Sequence, residues 1–133
     1  RYLDVFRDRT LERTRNGPKL VYICAPLRGD VEQNITFAKE KAREVFQAGD
    51  IPICPHLMFP PFADPDDPVQ DQAAREMGLR LVEHCQQVNV YGPVRTPGML
   101  AEIRRAEELR IPVKAAQPGL QKTKGRPRRG QSR

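Results

Sequence analysis

A nearly continuous apolar run at residues 19–24 (KLVYIC) is the feature that most restricts the fold of this chain. Strands buried on both faces have this composition, and such strands occur in parallel sheets covered by helices. The run follows a strong breaker at residues 16–18 (NGP) and precedes a segment with apolar residues at helical spacing. These observations predict a strand–helix unit of an α/β protein.

The alternation of short strands and amphipathic helices continues to residue 114. The predicted helices span residues 31–47, 69–85 and 98–110, and the predicted strands span residues 19–24, 51–54, 88–91 and 111–114. Asp30 is the predicted N-cap of the first helix, and Gly49 is predicted to end it. We expect a three-layer, flavodoxin- or Rossmann-like fold, with a parallel sheet of about four to five strands and helices on both faces.

Apolar residues at helical spacing define the faces of these helices that are expected to pack on the sheet. They are Ile35, Ala38, Ala42, Val45, Phe46, Ala73, Met77, Leu81, Val82, Met99, Ile103, Ala106 and Leu109. Between the second strand and the second helix, residues 55–68 form a proline-punctuated segment that we expect to be a long loop. Loops of this length are usually functional or disordered, so a lid or a pocket wall is predicted there.

Charge divides the chain into three parts. Residues 1–16 form a polar, arginine-rich extension, residues 17–116 the predicted domain, and residues 117–133 a tail with six basic residues and no acid. The net charge of +6 belongs to the two ends, because residues 16–121 hold 12 basic and 14 acidic groups. Such a tail is expected to be disordered. Solubilisation is its favoured role, and contact with the phosphates of RNA or DNA is the less favoured one.

Cysteine usage and hydropathy bear on compartment and cofactor. Only three cysteines are present, at wide spacings in apolar stretches, so no disulfide framework is predicted and a reducing compartment fits best. No apolar run approaches the roughly 20 residues that a membrane-spanning helix needs. The cysteines and His56 lack the spacing of a zinc site. We therefore expect a cytoplasmic protein without a membrane partner, a metal or a cofactor.

Ligands of open α/β sheets bind at the carboxyl ends of the strands, which directs attention to the loops after the first three strands. Arg28-Gly29 in the first loop can offer a guanidinium and free N–H groups to an anion, although many such loops hold a surface arginine. The segment TPGMLAE places Glu102 near the start of the last helix. There the helix dipole would lower a carboxylate pKa by at most about 1.5 units and keep it ionised. Position alone slightly favours an ordinary first-turn acid.

Together, the segments YICAPLRG, PHLMFP and TPGMLAE resemble the nucleoside 2-deoxyribosyltransferase superfamily over residues 19–114. The closer likeness is to a branch of uncharacterised domains common in phages and mobile elements. The Arg28-Gly29 pair is similar to that of enzymes that hydrolyse 2′-deoxynucleoside 5′-monophosphates. The resemblance implies cleavage or transfer of an N-glycosidic bond of a 2′-deoxynucleoside or its 5′-monophosphate, through a glycosyl-enzyme ester.

The resemblance also assigns roles to residues. Glu102 is the implied nucleophile, and Tyr22 is the residue implied to orient it. The implied substrate-binding residues are Pro26, Arg28, Gly29, His56, Thr96 and Gly98. Because the related enzymes complete their sites across a subunit interface, the resemblance also implies a homo-oligomer whose partner is a small-molecule nucleoside or nucleotide.

One position departs from the superfamily pattern. Its enzymes carry an aspartate in the second helix, and the matching residue in this chain is Gly78. Protonation of the leaving base then needs another acid, for which Glu76 or the loop residues Asp64, Asp66 and Asp67 are candidates. The alternative function is a catalytically silent nucleotide-binding or sensor module of a phage or mobile element.

Overall fold

The strand-forming run at the start of the predicted domain becomes the interior of a parallel sheet. The computed structural model describes residues 17–26 and 30–115, in which four strands lie in the order β2-β1-β3-β4. The strands are β1 (Leu20–Cys24), β2 (Ile51–Ile53), β3 (Gln87–Val90) and β4 (Val113–Ala115), and the helices are α1 (Val31–Gln47), α2 (Pro55–Met58), α3 (Pro68–Val82) and α4 (Pro97–Glu108). All neighbouring strands pair in parallel. The predicted α/β fold is confirmed.

Two hydrophobic clusters, one on each face of the sheet, create the three layers. Helices α3 and α4 cover one face, where Tyr22 and Cys24 pack with Val82, Val88 and Met99. Helices α1 and α2 lie on the other face, where the cluster consists of Val21, Ile23, Ala25, Ala38, Val45, Cys54 and Tyr91. Alternate residues of a strand point to opposite faces. Strand β1 is therefore buried on both sides, which explains its continuous apolar sequence.

Side-chain caps fix where the helices begin. Asp30 accepts a hydrogen bond from the backbone N–H of Gln33 at 3.1 Å, which confirms it as the cap of α1. Thr96 caps α4 in the same way by accepting from Met99 N–H at 3.2 Å. After α1, Gly49 takes a φ of 98°, a left-handed conformation that glycine adopts without strain. The predicted bounds of α1, residues 31–47, match the structure.

Three residues expected on the buried faces of the helices are exposed instead. Phe46, Met77 and Leu109 are 45%, 55% and 46% exposed. In α3, the buried residues are Gly78 and Val82, so the inward face is rotated from the predicted one. The sequence pattern misses this rotation because glycine carries no hydrophobic signal, yet its small size lets the helix approach the sheet. Leu109 lies beyond the last residue of α4.

The segment predicted as a long loop is partly helical. It begins with the short helix α2, which has Pro55 as its first residue, and it ends at Asp67, whose side chain caps α3 by accepting from Val69 N–H at 2.9 Å. Proline is well suited to the first turn of a helix, where its missing N–H has no partner to lose. The punctuating prolines thus mark helix starts as well as turns.

Several predictions fall outside the described residues. They concern the polar extension at residues 1–16, the phosphate-binding pair Arg28-Gly29 and the basic tail at residues 117–133. Within the described ranges, no helix combines the length and the apolar character needed to cross a membrane.

Candidate active site

A hydrogen bond joins the central strand of the sheet to helix α4 through Tyr22 and Glu102. The Tyr22 hydroxyl donates to Glu102 Oε2 at 2.6 Å. Such a short O–H···O distance is typical of a bond in which the acceptor is charged. Tyr22 is fully buried in the middle of β1, so its hydroxyl is held by the packing of the sheet against α3 and α4. One carboxylate oxygen is therefore fixed by a rigid donor.

The second carboxylate oxygen of Glu102 also has a donor. Cys24 Sγ lies 3.2 Å from Glu102 Oε1. Tyr22 and Cys24 are two residues apart in β1 and so point to the same face of the sheet. From the sequence alone, Cys24 is only a residue of an apolar strand that lacks the spacing of a zinc ligand. The signal that could have identified its contact with Glu102 is this two-residue spacing from the tyrosine.

Burial makes Glu102 a weaker acid than a free glutamate. Removal from water raises its pKa, while the hydrogen bonds from Tyr22 and Cys24 and the charge of His56 lower it, and the net direction is upward. The expected lowering by the helix dipole is wrong. Glu102 is the sixth residue of α4, and the dipole effect falls off within the first turn. Desolvation dominates because the carboxyl group lies between the sheet and α3.

The two donors hold their own protons tightly. Burial, followed by the charge of Glu102, raises the pKa of both Tyr22 and Cys24 well above the usual values for phenols and thiols. Both groups therefore remain protonated at neutral pH and serve as hydrogen-bond donors. A thiol is nucleophilic only as the thiolate, so Cys24 does not have the character of a reactive cysteine.

Gly78 brings the backbone of α3 against this pair. A Cβ atom built on Gly78 would lie 3.3 Å from the Tyr22 hydroxyl oxygen, 3.8 Å from Pro55 Cγ and 3.9 Å from Glu102 Oε2. A side chain at this position would therefore enter the space beside the carboxylate. At the position where the sequence resemblance implies an aspartate, this chain has a glycine.

The acids considered as substitutes for that aspartate point elsewhere. Glu76 is exposed and accepts a hydrogen bond from Gln72. In the loop before α3, Asp64 accepts from the backbone N–H of Asp66, and Asp67 is engaged in capping α3. None of these carboxylates contacts the pair of Tyr22 and Glu102 among the interactions of the described residues.

His56 stands at the carboxyl end of β1. Its Nε2 atom lies 2.5 Å from the carbonyl oxygen of Ala25, the first residue after the strand. Because a carbonyl oxygen only accepts, Nε2 must carry the proton of this bond. The half-buried ring is held by α2, whose second residue it is. His56 is also close enough to Glu102 for its charge to affect the pKa of that carboxyl group.

The remaining predicted binding residues line the same edge of the sheet. Pro26 packs on Gly92, whose φ of 92° and missing Cβ allow the contact, since an added Cβ would be 3.3 Å from Pro26 Cδ. Thr96 and Gly98 occupy the start of α4, where the Thr96 hydroxyl is engaged as the cap. The Nη1 atom of Arg75, a residue without a role in the sequence analysis, lies 3.7 Å from the position of a Cβ on Gly98.

The structure thus brings Tyr22, Glu102 and His56 together around the end of β1, with Thr96 and Gly98 at the start of α4. Arg28 and Gly29 are not among the described residues. The catalytic and binding roles of all these residues stay predictions. Over residues 17–26 and 30–115, no group of three or more His, Cys, Asp or Glu side chains is arranged to hold a metal ion.

Comparison with known proteins agrees with this fold. Residues 19–116 match the family described as Domain of unknown function (DUF7768). The solved structure of a 2-deoxyribosyltransferase from the psychrotolerant bacterium Bacillus psychrosaccharolyticus is similar with a TM-score of 0.62 and 12% sequence identity, over 74% of this chain and 72% of that chain. That enzyme is described as a biocatalyst for the synthesis of antiviral and antitumoral nucleosides. No curated protein matches. The likeness confirms the predicted α/β fold.

Proposed function

Because the chain belongs to a family described only as a domain of unknown function (DUF7768), we propose its function from the site: cleavage or transfer of the N-glycosidic bond of a 2′-deoxynucleoside or its 5′-monophosphate. The observation that carries the proposal is the carboxylate of Glu102, held by Tyr22 and Cys24 at one donor per oxygen. The shared fold with a 2-deoxyribosyltransferase supports it.

In the proposed reaction, a carboxylate oxygen of Glu102 attacks C1′ of the deoxyribose. The C1′–N bond breaks, its electron pair leaves with the base, and an ester joins C1′ to Glu102. Water or a second base then attacks C1′ and releases the carboxylate. Tyr22 and Cys24 hold the carboxylate in one orientation, which lowers the entropy cost of reaching the transition state.

The start of α4 is the proposed place for a 5′-phosphate. The positive end of the helix dipole favours anions, and the N–H of Gly98, which the Thr96 cap does not take, lets a ligand approach the backbone there. The guanidinium of Arg75, ion-paired with Asp71 at 3.0 Å, adds positive charge beside Gly98. These groups support a monophosphate as the preferred form of the substrate.

A second candidate function follows from one specific observation. Gly78 leaves no acid beside Glu102 on α3, and an enzyme of this type must protonate its leaving base. A nucleotide-binding or sensor module that no longer turns over its ligand would show the same vacancy. In that case nucleotides would bind to the protein and leave unchanged.

The test is incubation of the purified protein with each 2′-deoxynucleoside and its 5′-monophosphate, with and without a second free base. Chromatography measures the free or exchanged base, and Glu102→Gln serves as the matched control because glutamine keeps the size of the side chain. Release that disappears in the control supports the proposal. Thermal stabilisation by a nucleotide without any release supports the binding module and contradicts the enzyme.

A further inference from the structure

We propose that His56 is the general acid of this site and donates the proton that the leaving base requires, in place of the aspartate that Gly78 replaces. The inference rests on the proposed glycosidic chemistry and deepens it. It assigns a catalytic role to a residue for which the resemblance implies only substrate binding.

The first support is the position of His56 relative to the vacant place on α3. Pro55, the residue before His56, lies 3.8 Å from the position of a Cβ on Gly78, and Glu102 Oε2 lies 3.9 Å from the same point. The start of α2 and the carboxylate therefore border the same space from two sides. His56 extends from that border to the carbonyl oxygen of Ala25 at the end of β1.

The second support is the state of the imidazole ring. Its Nε2–H is committed to the Ala25 carbonyl oxygen, which leaves Nδ1 as the ring atom that can exchange a proton with a ligand. The bond also fixes the ring in place. An oriented imidazole with one nitrogen tied to a carbonyl and the other available is the usual arrangement of a histidine in acid–base catalysis.

The third support comes from the neighbouring titratable groups. Tyr22 and Cys24 retain their protons because their pKa values are raised, and burial raises the pKa of the Cys54 thiol to about 11. Glu102 must be ionised to attack. Arg95, whose charge acts on Cys24, does not release a proton in proteins. Of the described groups around the site, this leaves the His56 imidazole, held by the Ala25 carbonyl oxygen, as the candidate proton donor.

The proton and electron balance of the proposed step is complete. As the Glu102–C1′ ester forms, the C1′–N bond breaks and its electron pair stays with the base. The Nδ1 proton of the His56 imidazolium moves to a ring nitrogen of the base, and His56 becomes neutral. In hydrolysis, water then attacks C1′, its proton passes to Nδ1, and the carboxylate is released, which restores both residues.

The test compares two leaving groups in single-turnover experiments, so that only the first step is observed. One substrate is a purine 2′-deoxynucleoside 5′-monophosphate, whose base needs protonation. The other is 4-nitrophenyl 2-deoxyriboside 5-phosphate, whose nitrophenolate leaves without a proton. We expect His56→Gln to slow release of the purine by about 100-fold or more, the usual contribution of a general acid. The loss on the nitrophenyl substrate should be smaller by at least tenfold.

His84→Gln is the matched control, because His84 is the other histidine of the chain and is exposed beyond the end of α3. In a second variant, His56→Ala, added imidazole should restore release of the purine. This rescue tests the role of the ring independently of any effect that glutamine has on the residues around position 56. Thermal melting checks that each variant is folded.

The outcomes separate the two proposals. Equal losses on both substrates, or no loss on either, would overturn the role of His56 while leaving glycosidic cleavage established by the wild-type protein. A wild-type protein that releases neither leaving group would overturn the proposed function, and the role of His56 with it. A selective loss on the purine that imidazole restores supports both.

Discussion

At the scale of single residues, the proposed chemistry depends on a carboxylate that burial makes harder to ionise. Burial raises the pKa of Glu102, and the two donors on β1 only partly oppose this effect. The donor strengths differ, because a phenol is a better hydrogen-bond donor than a thiol. Tyr22 and Cys24 therefore influence both the pKa of Glu102 and the orientation of its carboxylate.

Replacing Tyr22 by phenylalanine should remove the stronger donor while keeping the ring in the core. A hydrogen bond to a charged group contributes about 1.5–3 kcal/mol, so kcat/KM should fall about ten- to hundredfold. Because the pKa of Glu102 rises further without the donor, the acid limb of the pH–rate profile should move to higher pH. A profile unchanged in position would contradict the assigned contact.

Replacing Cys24 by alanine should have a smaller effect of the same kind. The weaker thiol donor is lost, so we expect kcat/KM to fall by less than about tenfold. Cys24→Ser retains a donor of similar size and is the control. Steady-state kinetics of the two variants measure the difference. Equal activity of the alanine and serine variants would show that the thiol does not support Glu102.

Glu102→Gln should abolish turnover and stabilise the protein at neutral pH. The carboxyl group has a higher pKa in the folded chain than in the unfolded one, so the folded state loses stability as pH rises from the ordinary value of 4.5 through the raised value. Glutamine does not titrate. The gain in Tm should thus be largest at neutral pH and shrink as pH falls towards 4.5, in melting curves recorded across that range. For a domain of this size, about 4–8 °C corresponds to 1 kcal/mol.

At the scale of secondary-structure elements, the helices bring the distant parts of the site together. Helix α4 carries Glu102 to β1 across 80 residues of sequence, and α3 fits closely because Gly78 faces the sheet. Helix α2 places His56 at the end of the same strand. The site is therefore assembled by three helices around one strand.

The start of α4 provides a test that separates capping from binding. Thr96→Ala removes the cap and should cost about 0.5–2 kcal/mol of folding free energy, whereas Thr96→Ser should retain nearly all of it. Chemical denaturation measures both values. If Thr96 acts only as a cap, each folded variant should bind a nucleoside monophosphate with the affinity of the wild type. A loss of affinity in the alanine variant alone would show that the hydroxyl also contacts the ligand.

The elements themselves show what the sequence could predict. The bounds of α1 follow from its caps and its apolar spacing, which are local signals. The inward face of α3 cannot be predicted from such local signals. Its central residue is Gly78, and the exposed Met77 carries the stronger hydrophobic signal. Sequence resemblance selects Tyr22 and Glu102, whose contact the structure contains. The shift in the Glu102 pKa required the tertiary structure, because burial is set by how α3 and α4 pack on β1.

At the scale of the whole molecule, charge is distributed unevenly along the chain. The tail at residues 117–133 holds six basic residues without an acid, while the part that contains the site is close to neutral. An electrostatic contact of the tail with nucleic acid would be strongly weakened by salt. The chemistry proposed for Glu102 needs no such contact.

Deleting residues 117–133 should therefore leave turnover and nucleotide affinity within about twofold of the wild type. Any binding of RNA or DNA by the full chain should disappear on deletion and should weaken steeply with added salt. Activity assays and fluorescence anisotropy with a labelled oligonucleotide measure the two properties. A deletion that removes turnover but not folding would place part of the site in the tail.

Under the proposed function, Tyr22 and Glu102 would diverge differently in a descendant that had lost catalysis. Tyr22 fills the centre of the core, so selection for a folded protein would retain its ring even after its hydroxyl had lost its use. Glu102 contributes a half-buried, partly desolvated charge that the packing of the core does not need, and drift would favour neutral replacements. Among relatives of this chain, a retained glutamate at this position would therefore indicate retained catalysis, whereas a retained tyrosine would indicate only the conserved fold.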